Sequence, residues 1–189
     1  SWCENGGINV KWMIISDIHG SYDDLKKVME IYEEEKMEKL IILGDILYHG
    51  PRNPLPEGYQ PQKVINLLNQ YKDKIMAVRG NCDAEVDQMV LEFPMRGDYS
   101  ELYADGYRFF LTHGHLYDET HLPMLHSGDI FMYGHFHKPV LKKENGIVLL
   151  NPSSISLPKA GQKSFGVYED GELKIVTLDK KVLQSMKLS

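Results

Sequence analysis

Six apolar runs in this 189-residue chain end in residues able to bind a cation. MIIS is followed by Asp17 and His19, and LIIL by Gly44 and Asp45. IMAV is followed by Arg79, Gly80, Asn81, Cys82 and Asp83. YRFFLT leads to His113 and His115, IFMY to His135 and His137, and IVLL to Asn151 and Ser153. Aspartate, asparagine and histidine offer oxygen and imidazole nitrogen, a donor mix suited to divalent cations of borderline-hard character. In Asp-x-His and His-x-His both side chains point the same way if the backbone is extended. Adjacent glycines let the chain turn sharply and keep Cβ atoms out of the way. Two of the aspartates, one asparagine and four or more histidines make about seven ligands, too many for one tetrahedral zinc ion and suited to two metals that share a carboxylate.

The elements that must carry these residues are legible as patterns. WMIIS (12–16), LIIL (40–43) and IMAV (75–78) read as buried strands. Between them, Ser21 opens a helix with Leu25, Val28, Met29 and Tyr32 on one face, and Pro61 opens another with Val64, Ile65, Leu68 and Tyr71. Strand–helix alternation implies a parallel sheet with right-handed crossovers. Three Asx-Gly pairs, Asp105-Gly106, Asn145-Gly146 and Asp170-Gly171, sit between strand-like runs and favour tight β-hairpins, so the second half is expected to be largely antiparallel. The fold class expected is α/β, a four-layer α-β-β-α sandwich of two mixed β-sheets flanked by helices. Ligands in such folds gather at the carboxyl ends of strands, which is where the polar residues stand. The Pro/Gly-rich stretch 49–62 is long for a connection and reads as a functional loop. Asp83 reads as the cap of a helix starting at Ala84.

Residues 1–11 show no periodicity and are taken as an extension, leaving 12–189 as one domain. The composition, 42% hydrophobic and 25% charged, is that of an ordinary globular protein. A net charge of -6 argues against a general nucleic-acid scaffold, because phosphate tracking needs a basic surface. No run is long enough to span a bilayer, so no membrane partner is expected. Two cysteines, Cys3 and Cys82, make no disulfide framework, and the cytoplasm is the compartment expected.

Taken in order, DIHG (17–20), GD (44–45), GN (80–81), THGH (112–115) and GHFH (134–137) resemble the motifs of the calcineurin-like metallophosphoesterases. The stretches GDILYHGPRNPLPEGY (44–59) and RGNCDAEVDQM (79–89) are similar to the small bacterial phosphodiesterases within that family. The resemblance covers roughly residues 12–178. It implies a first metal on Asp17, His19 and His137, a second on Asn81, His113 and His135, and Asp45 as the bridge. The implied cofactors are two divalent ions, Mn²⁺ first, with Zn²⁺, Fe, Ni²⁺ or Co²⁺ as alternatives. The implied reaction is hydrolysis of a small phosphodiester by a hydroxide bridging two metals ~3.5–4 Å apart. Homodimers or homotetramers are the assemblies the family suggests.

Asp45, Asn81, Cys82 and His115 are the catalytic candidates, with Arg52 and Cys82 as candidate substrate contacts. Many relatives carry histidine where this chain has Cys82. A neutral thiol is a poor donor and brings no positive charge, so diesters are expected to suffer less than dianionic monoesters. His115 either serves leaving-group chemistry or supports its turn. Two other functions stay open at this point: a metal-binding protein-interaction scaffold, and a phosphomonoesterase.

Overall fold

A computed structural model describes residues 10–189. Most of the expected extension, Cys3 included, lies outside the described residues. The first half follows the expected alternation: β1 (Lys11–Ile15), α1 (Tyr22–Glu34), β2 (Lys39–Ile42), α2 (Pro61–Asn69) and β3 (Ile75–Ala77). The second half adds β4 (Tyr99–Ala104), β5 (Tyr107–Thr112), β6 (Ile130–Met132), β7 (Pro139–Glu144), β8 (Ile147–Pro152), β9 (Ser164–Glu169), β10 (Glu172–Thr177) and β11 (Val182–Lys187).

Two mixed sheets result. One has the order β11-β10-β9-β1-β2-β3, the other β4-β5-β6-β8-β7. Period-two burial in the strands builds the layers. In β1, Trp12 and Ile14 face the second sheet and meet Phe109, Leu111, Ile130, Met132 and Leu150. Met13 and Ile15 face the other way, onto Leu25, Val28, Met29 and Tyr32 of α1 and Val64, Ile65 and Leu68 of α2. Both α-helices therefore cover the first sheet. The outer face of the second sheet, with Phe110, Phe131, Tyr133 and Leu149, packs against Tyr117, Leu122 and Leu125 from the segment joining β5 to β6.

The three Asx-Gly pairs do close antiparallel hairpins, β4–β5, β7–β8 and β9–β10. Both residues of each pair have positive φ, as a type I′ turn requires. The expectation of a largely antiparallel second half fails at the centre of its sheet, where β5, β6 and β8 run parallel. Turn dipeptides report only the connections they make; the β5–β6 crossover carries no such signal. The parallel core also has a consequence for the site. It puts the carboxyl ends of β5, β6 and β8 at one edge, as β1, β2 and β3 do in the first sheet.

Candidate metal centre

At that shared edge the polar residues converge. Asp17 and His19 follow β1, Asp45 follows β2, Asn81 follows β3, His113 follows β5, and His135 and His137 follow β6. Five of these seven hold left-handed φ: Asp17, His19, Asp45, His135 and His137. Left-handed backbone at non-glycine residues is strained, and it persists only where the surroundings enforce it. Two glycines show how tight the surroundings are. A Cβ on Gly80 would lie 2.1 Å from Asp45 Oδ1, and one on Gly134 would lie 2.0 Å from Ser16 Oγ.

The ligand atoms form two groups. Asp17 Oδ1 lies 3.1 Å from His137 Nε2 and 3.4 Å from His19 Nε2. Asn81 Oδ1 lies 3.0 Å from both His113 Nε2 and His135 Nδ1. Asp45 Oδ2 stands between the groups, 3.7 Å from His19 Nε2 and 3.1 Å from His113 Nε2. Asp45 thus forms one triad with His113 and His135 while also facing His19 of the triad Asp17–His19–His137; within each triad the donor atoms lie inside 4.8 Å, as do those of His19, Asp45 and Cys82.

The imidazoles are oriented from behind. His19 Nδ1 meets the Tyr48 carbonyl at 2.8 Å, His113 Nδ1 the Leu43 carbonyl at 2.6 Å, and His137 Nδ1 the Leu157 carbonyl at 2.6 Å. A carbonyl only accepts, so each Nδ1 carries the proton, and each neutral Nε2 presents a lone pair to the centre. His19 Nε2 and His137 Nε2 then face each other at 3.3 Å as two acceptors beside a carboxylate. Such an arrangement fits a cation and repels itself without one. Without a cation, protons answer the same crowding: burial disfavours a charged His113, yet Asp17 and Asp45 carry its pKa up to about 9, so a metal at this position would displace that proton to reach the Nε2 lone pair. Burial likewise opposes ionisation of Asp17, and His113, His137 and His19 nonetheless hold its carboxyl well below the usual range.

The carboxylates are fixed as firmly. Asp17 Oδ2 accepts from Ser16 Oγ at 2.6 Å and from the His135 amide at 3.0 Å, leaving Oδ1 toward the centre. Ser154 and Ser156 hydroxyls donate to the Asp17 carbonyl at 2.7 and 3.0 Å. Asp45 Oδ1 accepts the Cys82 amide at 2.9 Å, leaving Oδ2 free to bridge.

Asp83 takes a part the sequence reading missed. It is not a helix cap. Its buried carboxylate accepts the backbone N–H groups of Gly80, Asp45 and Ile46 at 2.7, 2.8 and 2.8 Å, tying the end of β2 to the end of β3. Burial pushes its carboxyl up to about 6, against the pull of those donors, so it is charged at neutral pH. The segment expected to be a helix from Ala84 is a short 3₁₀ turn, Glu85–Met89.

The remaining candidates separate. Cys82 and Arg52 both line a cleft of about 860 Å³ that opens over the two triads. Burial, then Asp45, pushes the Cys82 thiol up to about 12, which disfavours the thiolate. His115 is exposed and packs edge-on against His113 at 5.4 Å between ring centroids, off the cleft lining. The 49–62 loop does reach the site, through Gly50, Pro51, Arg52, Asn53 and Pro54, joined by Phe136, Lys138 and Lys159. Those two lysines carried no coordination signal in the sequence.

Ser153 is strained without visible use. It is fully buried at φ 65, and its hydroxyl has no partner among the described residues. Ser153→Gly should relieve about 1 kcal/mol net, even after glycine's extra unfolded-state entropy. Thermal denaturation should show Tm raised by about 2–4 °C; a fall would mean the hydroxyl is anchored.

Known proteins resemble this chain over most of its length. A family model described as a calcineurin-like phosphoesterase superfamily domain matches residues 10–171. The chain is 45% identical to phosphodiesterase YfcE of Escherichia coli K12 over 171 residues, spanning 90% of this chain and 93% of that protein. It superimposes on the solved structure of that E. coli phosphoesterase with a TM-score of 0.93, at 43% identity, covering 95% of this chain and all of the other. The fold is also shared with Vps29 of Entamoeba histolytica, solved in complex with Zn²⁺, at a TM-score of 0.62 and 16% identity over 95% of this chain and 100% of that one.

Proposed function

Because the chain belongs to the calcineurin-like phosphoesterase superfamily, we propose that it is a dinuclear metal-dependent phosphodiesterase acting on small diesters. The observation that carries this reading is the position of Asp45 Oδ2 between the Asp17–His19–His137 group and the Asn81–His113–His135 group. Asp17, His19 and His137 would hold one divalent ion, Asn81, His113 and His135 the other, and Asp45 would join them. Manganese is our choice of metal, from the family resemblance and the mixed oxygen and nitrogen donors. When bound, such ions supply a hydroxide nucleophile at neutral pH and neutralise charge on the phosphoryl oxygens.

The chain's own residues do the rest. Asp17, Asp45 and Asp83 preorganise the floor of the cleft, so no reorganisation is needed as charge develops. The carbonyls of Leu43, Tyr48 and Leu157 fix the imidazole tautomers. The Cys82 thiol stands beside the floor without charge, and for that reason the site favours monoanionic diesters over dianionic monoesters. No described helix is long and apolar enough to cross a membrane, and we place the protein in the cytoplasm.

Two substrates assayed side by side test the reading. Bis(4-nitrophenyl) phosphate should be hydrolysed faster than 4-nitrophenyl phosphate. EDTA should abolish both activities, and Mn²⁺ should restore them. In Cys82→His, monoester hydrolysis should gain on diester hydrolysis by about tenfold, the low end of what a placed general acid contributes. An unchanged ratio would remove Cys82 as the selector, and turnover persisting in EDTA would remove the metals.

A further inference from the structure

The walls of the cleft carry a charge pattern that hydrolysis of a simple diester does not use. Its acidic lining residues are Asp45 and Asp83, exposed by only 2% and 4%. Its exposed charged residues are all cations: Arg52, Lys138 and Lys159. None of the three forms an ion pair among the described residues; the pairs present run between other side chains. This gathering occurs on a chain of net charge -6. Two of the cations are fixed to the floor through the backbone. Lys138 directly follows His137, and the Lys159 amide donates to the His137 carbonyl at 2.8 Å. Arg52 comes from the facing loop, where Asn53 Nδ2 holds the His49 carbonyl at 2.9 Å and a Cβ on Gly50 would stand 3.2 Å from Cys82 Sγ. Phe136, 39% exposed, also lines the cleft, with its ring edge-on to His135 at 5.0 Å between centroids.

We propose that the cleft recognises nucleotide-like diesters bearing a second phosphate, which Lys138, Lys159 and Arg52 hold at the rim while the scissile phosphate occupies the floor. This rests on the phosphodiesterase reading and specifies its substrate class. A volume of about 860 Å³ exceeds what one phosphoryl group fills and accommodates a drug-sized ligand. Exposed cations discriminate weakly one by one, but three acting on one phosphate change affinity by about tenfold, and the effect is screened by salt. Phe136 stacks a base, which is a sequence-tolerant contact.

Calorimetry on the Mn²⁺-loaded protein tests this without turnover. Adenosine 3′,5′-bisphosphate is expected to bind at least about tenfold tighter than AMP at low salt, with the advantage shrinking in high salt. The Arg52→Ala/Lys138→Ala/Lys159→Ala variant should bring the two affinities within about twofold. Lys138→Arg/Lys159→Arg, which keeps the charge, should retain the preference. Equal affinities in the wild type, failure of both nucleotides to bind, or a preference that survives removal of all three cations would overturn the rim site. Hydrolysis of bis(4-nitrophenyl) phosphate by the same preparation judges the phosphodiesterase reading separately.

Discussion

Replacing Asp45 with asparagine should lower turnover of a diester by at least about 10²-fold, since even indirect changes around a metal site cost 10–100-fold. The reason is geometric and electrostatic together. Asp45 Oδ2 faces His19 at 3.7 Å and His113 at 3.1 Å, whereas Asp17 Oδ1 sits closer to His19 and His137 and reaches His113 only at 3.9 Å, so Asp45 is the better placed of the two to join the groups. Its other oxygen is committed to the Cys82 amide. An amide at this position keeps the shape but loses the negative charge and turns one oxygen into a donor. Two cations would then share a centre with one carboxylate, Asp17, instead of two. Turnover at saturating Mn²⁺, together with metal content by elemental analysis, checks this. Wild-type rates at full metal occupancy would refute the bridging role.

Asp83→Ala should be nearly as damaging, although this residue touches no proposed metal. It strips three buried N–H groups, those of Gly80, Asp45 and Ile46, of their acceptor. Each orphaned donor costs about 1–3 kcal/mol. The loss should appear as a Tm lowered by about 5–10 °C or more. The same bonds hold Asp45 in its left-handed conformation at φ 57, so the bridge should loosen with them. Mn²⁺ affinity and turnover are each expected to fall about 10–100-fold. Asp83→Asn keeps one acceptor oxygen and should lose less in both measurements. Tight Mn²⁺ binding by a destabilised Asp83→Ala would show that the carboxylate supports the fold and not the centre.

How far the sequence reached follows from where each signal is stored. Asp17, His19, His135 and His137 were legible because ligand types recur at two-residue spacing after apolar runs, and spacing is local. The Asx-Gly hairpins were legible for the same reason. The parallel pairing of β5, β6 and β8 was not, since the crossover from Thr112 to Ile130 is an irregular segment with no periodicity to announce it. The carbonyls of Leu43, Tyr48 and Leu157, which orient three imidazoles, are backbone atoms and leave no trace in residue type. Asp83 looked like a cap because aspartate before a turn usually is one; its real partners, Asp45 and Ile46, are 38 and 37 residues away. Lys138 and Lys159 become notable only once the fold places them on one cleft.

The centre itself is tested most directly by anomalous diffraction from crystals of the protein grown with excess Mn²⁺, beside elemental analysis of the same sample. Two manganese ions per chain are expected, one among Asp17, His19 and His137 and one among Asn81, His113 and His135, with Asp45 coordinating both. A single ion, no ion, or two ions that leave Asp45 uncoordinated would contradict the account.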